Sequence, residues 1–211
     1  VPAGATRPSL DDLGVDPVTG AVTRIGALAI EDWRLELWRA PTDNDRGHPW
    51  HEGPQPTFAE RWAALGLDRL VSRLLSVERT AGALTVVTRV GGAPVDAAVD
   101  CTWRWTAAAD GLRLDLSVVP NDRWPAELTA HWARVGVSFA LPGSMDRLDW
   151  FGRGPGPAYP DNGQAAHPGW FRSSVAALQE RTVRPQEAGA RGDVRWARVA
   201  ADDGAALLVT A

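Results

Sequence analysis

Along residues 70–141 apolar and polar side chains alternate with a period of two. Leu84, Val86, Thr88 and Val90 share one side, and Val95, Ala97, Val99, Cys101, Trp103 and Trp105 stand against Asp96, Asp100, Thr102 and Arg104. The Asp110-Gly111 turn leads into Leu112, Leu114, Leu116 and Val118, opposed by Arg113, Asp115 and Ser117. Val135, Val137, Phe139 and Leu141 resume the pattern beyond a proline-bounded loop. Half-buried strands joined by short Gly, Asp and Pro turns predict an all-β fold of antiparallel sheets packed face to face. The inward Leu, Val and Trp are enough for a sizeable sandwich core. Upstream, residues 16–20 (Asp-Pro-Val-Thr-Gly) form a turn, residues 21–30 a short strand pair, and Trp33, Leu35 and Leu37 alternate with Arg34, Glu36 and Trp38.

Only one stretch has a clear helical period. Thr57 and Glu60 make a capping box, Phe58, Trp62 and Leu65 share a face, and Gly66 is the stop. Gly66, Asp68 and Arg69 then form a candidate mobile loop, and the helix is expected to cover a sheet edge. Residues 1–12 read as a flexible tail, and residues 13–211 as a single domain whose last apolar strand is cut short. Residues 151–169 read as a long Gly/Pro-rich loop, functional or covering by its length. A short helix is expected from Ser173 or Ser174 to Gln179, then strands over 194–200 and 205–210. No βαβ spacing, nucleotide-binding glycine loop or internal repeat occurs.

Before the helix, the run from Leu37 to Gly47 (Leu-Trp-Arg-Ala-Pro-Thr-Asp-Asn-Asp-Arg-Gly) is an apolar strand that stops at Pro41 and opens into a polar turn. Asp43, Asn44 and Asp45 can fold side-chain oxygens onto nearby backbone N–H groups, and the flanking Arg39 and Arg46 can neutralise the acids. An ion-pair and capping network is the expectation for this turn. A catalytic pair of Asp43 and Asp45 is the weaker alternative. Calcium is disfavoured, because the loop lacks the further oxygen ligands and late glutamate that such a site needs. His48 and His51 lack a third convincing ligand, so no metal site is assigned.

Net charge is −4 over 211 residues, which argues against a nucleic-acid partner held by phosphate neutralisation. No run is long and uncharged enough to cross a bilayer, so no membrane partner is expected. The single Cys101 excludes an internal disulfide and fits a reducing compartment, so the cytoplasm is the expected location. Its place in an alternating strand suits a small buried apolar residue. Eleven tryptophans offer apolar faces for core packing and for stacking on sugar C–H surfaces.

The run Trp38–Gly47 resembles the opening signature, W-R-A-P-T-D-N-D-x-G, of the C-terminal (small-chain, fifth-domain) β-sandwich of glycoside hydrolase family 2 β-galactosidases. A second block agrees in order and spacing: Trp150-Phe151-Gly152-Arg153-Gly154-Pro155, then Tyr159-Pro160-Asp161, Arg184-Pro185-Gln186-Glu187 with Gly189, and Asp193-Val194-Arg195-Trp196. It is similar to the family's G-R-G-P-x-E-N-Y-x-D-R and R-P-Q-E-N-G. Departures are Pro157 and Ala158 in place of Glu and Asn, Asn162 in place of Arg, and Ala188 in place of Asn. They remove polar groups that a carbohydrate contact there would use.

The resemblance implies a galactose mutarotase-like supersandwich with one or two short helices. It implies a role in hydrolysing terminal non-reducing β-D-galactose: packing on a catalytic barrel, shaping the galactoside pocket and aiding assembly. Partners would be the rest of the parent chain and the galactoside, with a homo-oligomer left open. Cofactors would be none in this domain, with Mg²⁺ and Na⁺ held elsewhere in the parent enzyme. Retaining glycosidases use two carboxylates, which this family carries on a separate barrel, so no residue of this chain is assigned as catalytic. Arg184, Gln186 and Glu187 are the candidate carbohydrate or interdomain contact, through amide and carboxylate bonds to hydroxyls; Pro185 and Gly189 favour a structural corner instead. Two alternatives stand beside this reading. One is a free-standing carbohydrate-binding module; the other is a mutarotase-like isomerase using His131 or His167 with Glu187.

Overall fold

The computed structural model describes residues 7–47, 55–93, 95–129, 131–159, 162–180, 183 and 187–211. Two compact units divide the chain, Val1–Ala140 and Leu141–Ala211. Both are built from antiparallel sheets, so the fold is all-β as the alternation predicts.

The first unit opens with a small antiparallel sheet of β1 (Leu13–Val15), β2 (Val22–Ile25) and β3 (Leu28–Ala29). Then comes β4 (Glu31–Glu36), which pairs with β9 (Gly136–Ala140). Between them lies a four-stranded meander: β5 (Leu70–Arg79), β6 (Ala83–Gly92), β7 (Ala98–Ala108) and β8 (Gly111–Pro120). Its inward row contains Leu84, Val86, Val90, Val99, Cys101, Trp103 and Trp105, all buried. The other face carries ion pairs between paired residues, such as Arg89 with Asp100 at 2.7 Å. Trp33 of β4 meets Trp103 and Trp105 at ring distances of 5.8 and 5.6 Å, and Phe139 of β9 at 5.4 Å. These rings join the β4–β9 pair face to face with the meander, which is the sandwich the inward aromatics call for.

Buried Thr88 accepts a hydrogen bond from the Trp103 indole N–H at 3.1 Å, so that side chain is both packed and satisfied. Burial pushes the Cys101 thiol up to about 11, leaving a packing residue with little thiolate character. Helix α1 (Phe58–Ala64) has the predicted capping box: the Glu60 N–H donates to Thr57 Oγ1, and the Thr57 N–H to the Glu60 carboxylate. Trp62 and Leu65 are buried, while Phe58 stays partly exposed. The helix stops at Gly66 in the left-handed region (φ 67°). Beyond it the chain makes a 3-10 turn, Leu67–Arg69, with Leu67 buried and Asp68 and Arg69 exposed. Gly92 explains the close fit: a Cβ there would sit 2.1 Å from the Leu65 carbonyl oxygen.

Residues 7–12 lead into the small sheet through a short turn. Ser9 and Asp12 form a capping box around the 3-10 turn Leu10–Asp12, Leu10 is buried, and Arg79 donates to the Leu10 carbonyl at 2.8 Å.

The second unit is one sheet, in the order β11 (His167–Ser174), β10 (Arg147–Gly154), β12 (Trp196–Ala200), β13 (Ala206–Thr210). This corrects the long-loop reading of 151–169, because its first four residues finish β10 and its last three begin β11. Glycines that looked like loop residues serve close packing: a Cβ on Gly152 would lie 2.8 Å from Val194 Cα. The helix expected over 173–179 is also corrected. Ser173 and Ser174 belong to the β11 ladder, and only a 3-10 turn, Ala176–Leu178, comes after them.

Candidate functional site

Two charged constructions carry the sequence motifs. The first is the Pro41–Gly47 turn. Arg39 grips the Asp45 carboxylate with both guanidinium arms, at 2.5 and 2.9 Å, and the Thr42 N–H and hydroxyl donate to the same group at 2.7 and 2.8 Å. The Asp45 carbonyl accepts the Ala59 N–H of α1 at 3.0 Å, and the Arg39 guanidinium lies 5.0 Å from the Trp62 ring centre. Burial acts to raise the Asp45 pKa; the hydrogen bonds from Arg39 and Thr42 outweigh it and hold the carboxyl below its ordinary value. Asp45 is thus a buried, fully engaged anchor, as the network reading expects, while Asp43 and Asn44 lie at the exposed surface of the turn. This cluster fastens the strand end to the helix through Asp45. His48 and His51 lie outside the described residues.

The second construction surrounds Arg153 in the second unit. Its Nε donates to Asp193 at 2.6 Å, its other arm reaches the Gly163 and Ala166 carbonyls, and its own N–H bonds the Gly192 carbonyl at 2.8 Å. Asp193 sits in the left-handed region (φ 49°), and the Arg153 hydrogen bond followed by its charge lowers the Asp193 pKa. Tyr159 completes the staple. Its hydroxyl accepts the Ala190 N–H at 3.1 Å and approaches the Glu187 carboxylate at 3.4 Å. Glu187 therefore stands against Tyr159; Arg184 and Gln186, the other candidate contacts, lie outside the described residues, as do Pro160 and Asp161. His131 stacks on Phe58, and His167 meets Phe171 edge-on.

Beside this staple lies a cleft of about 310 Å³ lined by Trp150, Phe171, Ser173, Leu178, Glu180 and Arg191, among others. The Arg191 guanidinium lies 5.5 Å from the Trp150 ring centre, and Arg191 donates to the Gly189 carbonyl at 2.9 Å. Its Nε–H meets no hydrogen-bond acceptor among the described residues. An aromatic wall, a guanidinium and one carboxylate can hold a hydroxyl-rich group. Double-carboxylate hydrolysis needs more, because Glu180 is the one acid lining the cleft among the described residues.

The β-galactosidase small-chain family model matches residues 13–211. The chain belongs to that family. It is 32% identical to the beta-galactosidase of Arthrobacter sp. (strain B7), over 100% of this chain and 22% of that protein. It is 35% identical to the beta-galactosidase of Vibrio cholerae serotype O1, over 81% of this chain and 17% of that protein. With the Priestia megaterium beta-galactosidase the identity is 29%, over 86% and 16%. The chain therefore spans about a fifth of the length of these relatives, as one domain of a longer protein would.

Within this small-chain domain, sequence reasoning missed Arg191, the Arg153–Asp193 pair and the cleft. A signal for the Arg153–Asp193 pair was present: an arginine between two glycines, Gly152-Arg153-Gly154, can reach across a close strand approach. Arg191 gave none, since its place over Trp150 depends on how the 187–195 segment folds back.

Proposed function

We propose that this chain is the accessory C-terminal β-sandwich of an enzyme that hydrolyses terminal non-reducing β-D-galactose, with residues 13–211 acting as one module. The observation that carries this is the family match over those residues together with a span of about a fifth of each relative. The catalytic carboxylates then lie elsewhere in the longer chain, and the isolated chain is inactive. Its partners are the remainder of that chain and, at the pocket rim, the galactoside. On this reading the parent enzyme works in the cytoplasm, and whether it assembles as a homo-oligomer stays open. Among the described residues no three His, Cys, Asp or Glu side chains come together as ligands. The Mg²⁺ or Na⁺ that the family resemblance implies is, on this reading, held by other parts of the parent enzyme. The Arg153 staple holds the loops around the cleft at a fixed height, which suits a rim that orients substrate without reacting with it.

Deleting residues 13–211 from the full-length enzyme tests this. The expected result is a fall in kcat/KM for a chromogenic β-galactoside of about 100-fold or more. Unchanged turnover after deletion, or a full-length protein without galactosidase activity, overturns the reading.

A further inference from the structure

One face of the second unit's sheet is built unlike a solvent-facing surface. Phe151 of β10 is paired with Trp170 of β11 on one side and with Trp196 of β12 on the other, so three aromatic side chains form a row across three strands. Trp170 is 67% exposed and Phe151 41%, and the Trp170 and Trp196 rings stand 6.4 Å apart. Two residues along each strand, on the same face, the row repeats as Arg172, Asp149 and Arg198. Arg172 donates to one Asp149 oxygen at 2.5 Å and Arg198 to the other at 3.4 Å. The Asp149 side chain is 7% exposed and that of Arg172 is 70% exposed.

We propose that this face is where the domain docks onto the rest of its longer chain, against a surface that accepts the Trp170 and Phe151 rings and offers acidic or carbonyl acceptors to Arg172. The inference rests on the reading of the chain as one domain of a longer enzyme. Large aromatic and arginine side chains side by side on rigid strands are the residues that dominate binding energy at protein interfaces. A contiguous exposed aromatic row is an interaction surface on a soluble protein. Three occupants compete for it. A saccharide needs acceptors as well as donors, but both Asp149 oxygens are already taken by arginines. A second copy meeting this face through a two-fold axis would bring two rows of net positive charge together. The remaining four-fifths of the relatives' length supplies the third, and it is free of both objections.

Oxidative footprinting of the full-length enzyme tests this, reading each tryptophan in the native and the denaturant-unfolded protein. Native Trp170 is expected to be protected as strongly as the core residue Trp103, independent of protein concentration and of added galactoside. Trp170→Glu is expected to lower galactosidase activity by about tenfold or more, while Val18→Glu, on an exposed turn, leaves it unchanged. Native Trp170 reacting at the unfolded rate overturns the inference. Protection that appears only with galactoside makes the face a sugar surface, and protection that rises with enzyme concentration makes it a self-contact; each also overturns it. If the enzyme retains galactosidase activity in any of these cases, the accessory-domain reading survives; if the unmodified enzyme shows none, that reading fails instead.

Discussion

Trp103 and Trp170 stand on similar strands of antiparallel sheets, yet one is 5% exposed and the other 67%. The first unit turns its aromatics inward, where Trp33, Trp103, Trp105 and Phe139 join two sheet layers. The second unit sets Trp170 and Phe151 outward and uses its charged residues to fix shape: Arg153 on the loops, Asp149 across three strands. Under the docking proposed above, the difference separates aromatics used for internal packing from aromatics used to meet a partner surface.

That contrast can be attacked in order of expected effect. Trp103→Ala removes a buried ring and leaves Thr88 without its donor, and is expected to cost about 3–5 kcal/mol in denaturant titration. Asp45→Ala strands Arg39 beside Trp62 and should cost about 3 kcal/mol. Its pH signature is specific. Because the Asp45 pKa is lowered on folding, its contribution is complete above the ordinary carboxylate range and fades as pH falls through the lower folded value. The variant should therefore lose part of the decline in stability that sets in as pH falls through and below the ordinary carboxylate range. Gly152→Ala pushes a methyl onto Val194 and is expected to cost about 1–3 kcal/mol by the same titration, a test of the close approach behind the cleft. Trp170→Ala should move the stability of this chain by no more than about 0.5 kcal/mol. A large loss there would erase the distinction between the two units.

Much of the first unit could be read from the chain because each strand has one wet and one dry face, which writes period two into residues 84–90 and 99–105. The motif around Asp45 was equally legible, since short polar side chains after a proline have few other uses. β10 and β11 were not. Gly152, Gly154, Pro168 and Gly169 look like loop residues, and the need for small residues where strands approach closely shows only in the folded chain. The cleft was hidden for a related reason: Arg191 and Glu180 are brought together by the fold, not by spacing. Leu10 escaped notice because a single apolar residue makes no periodicity.

The most direct measurement is hydrolysis of a chromogenic β-galactoside by this chain alone and after mixing with the remainder of its parent enzyme. An accessory domain predicts no turnover by the chain alone, and turnover on mixing well above that of the remainder. Turnover by the chain alone would contradict it, and would place a catalytic carboxylate pair within these 211 residues.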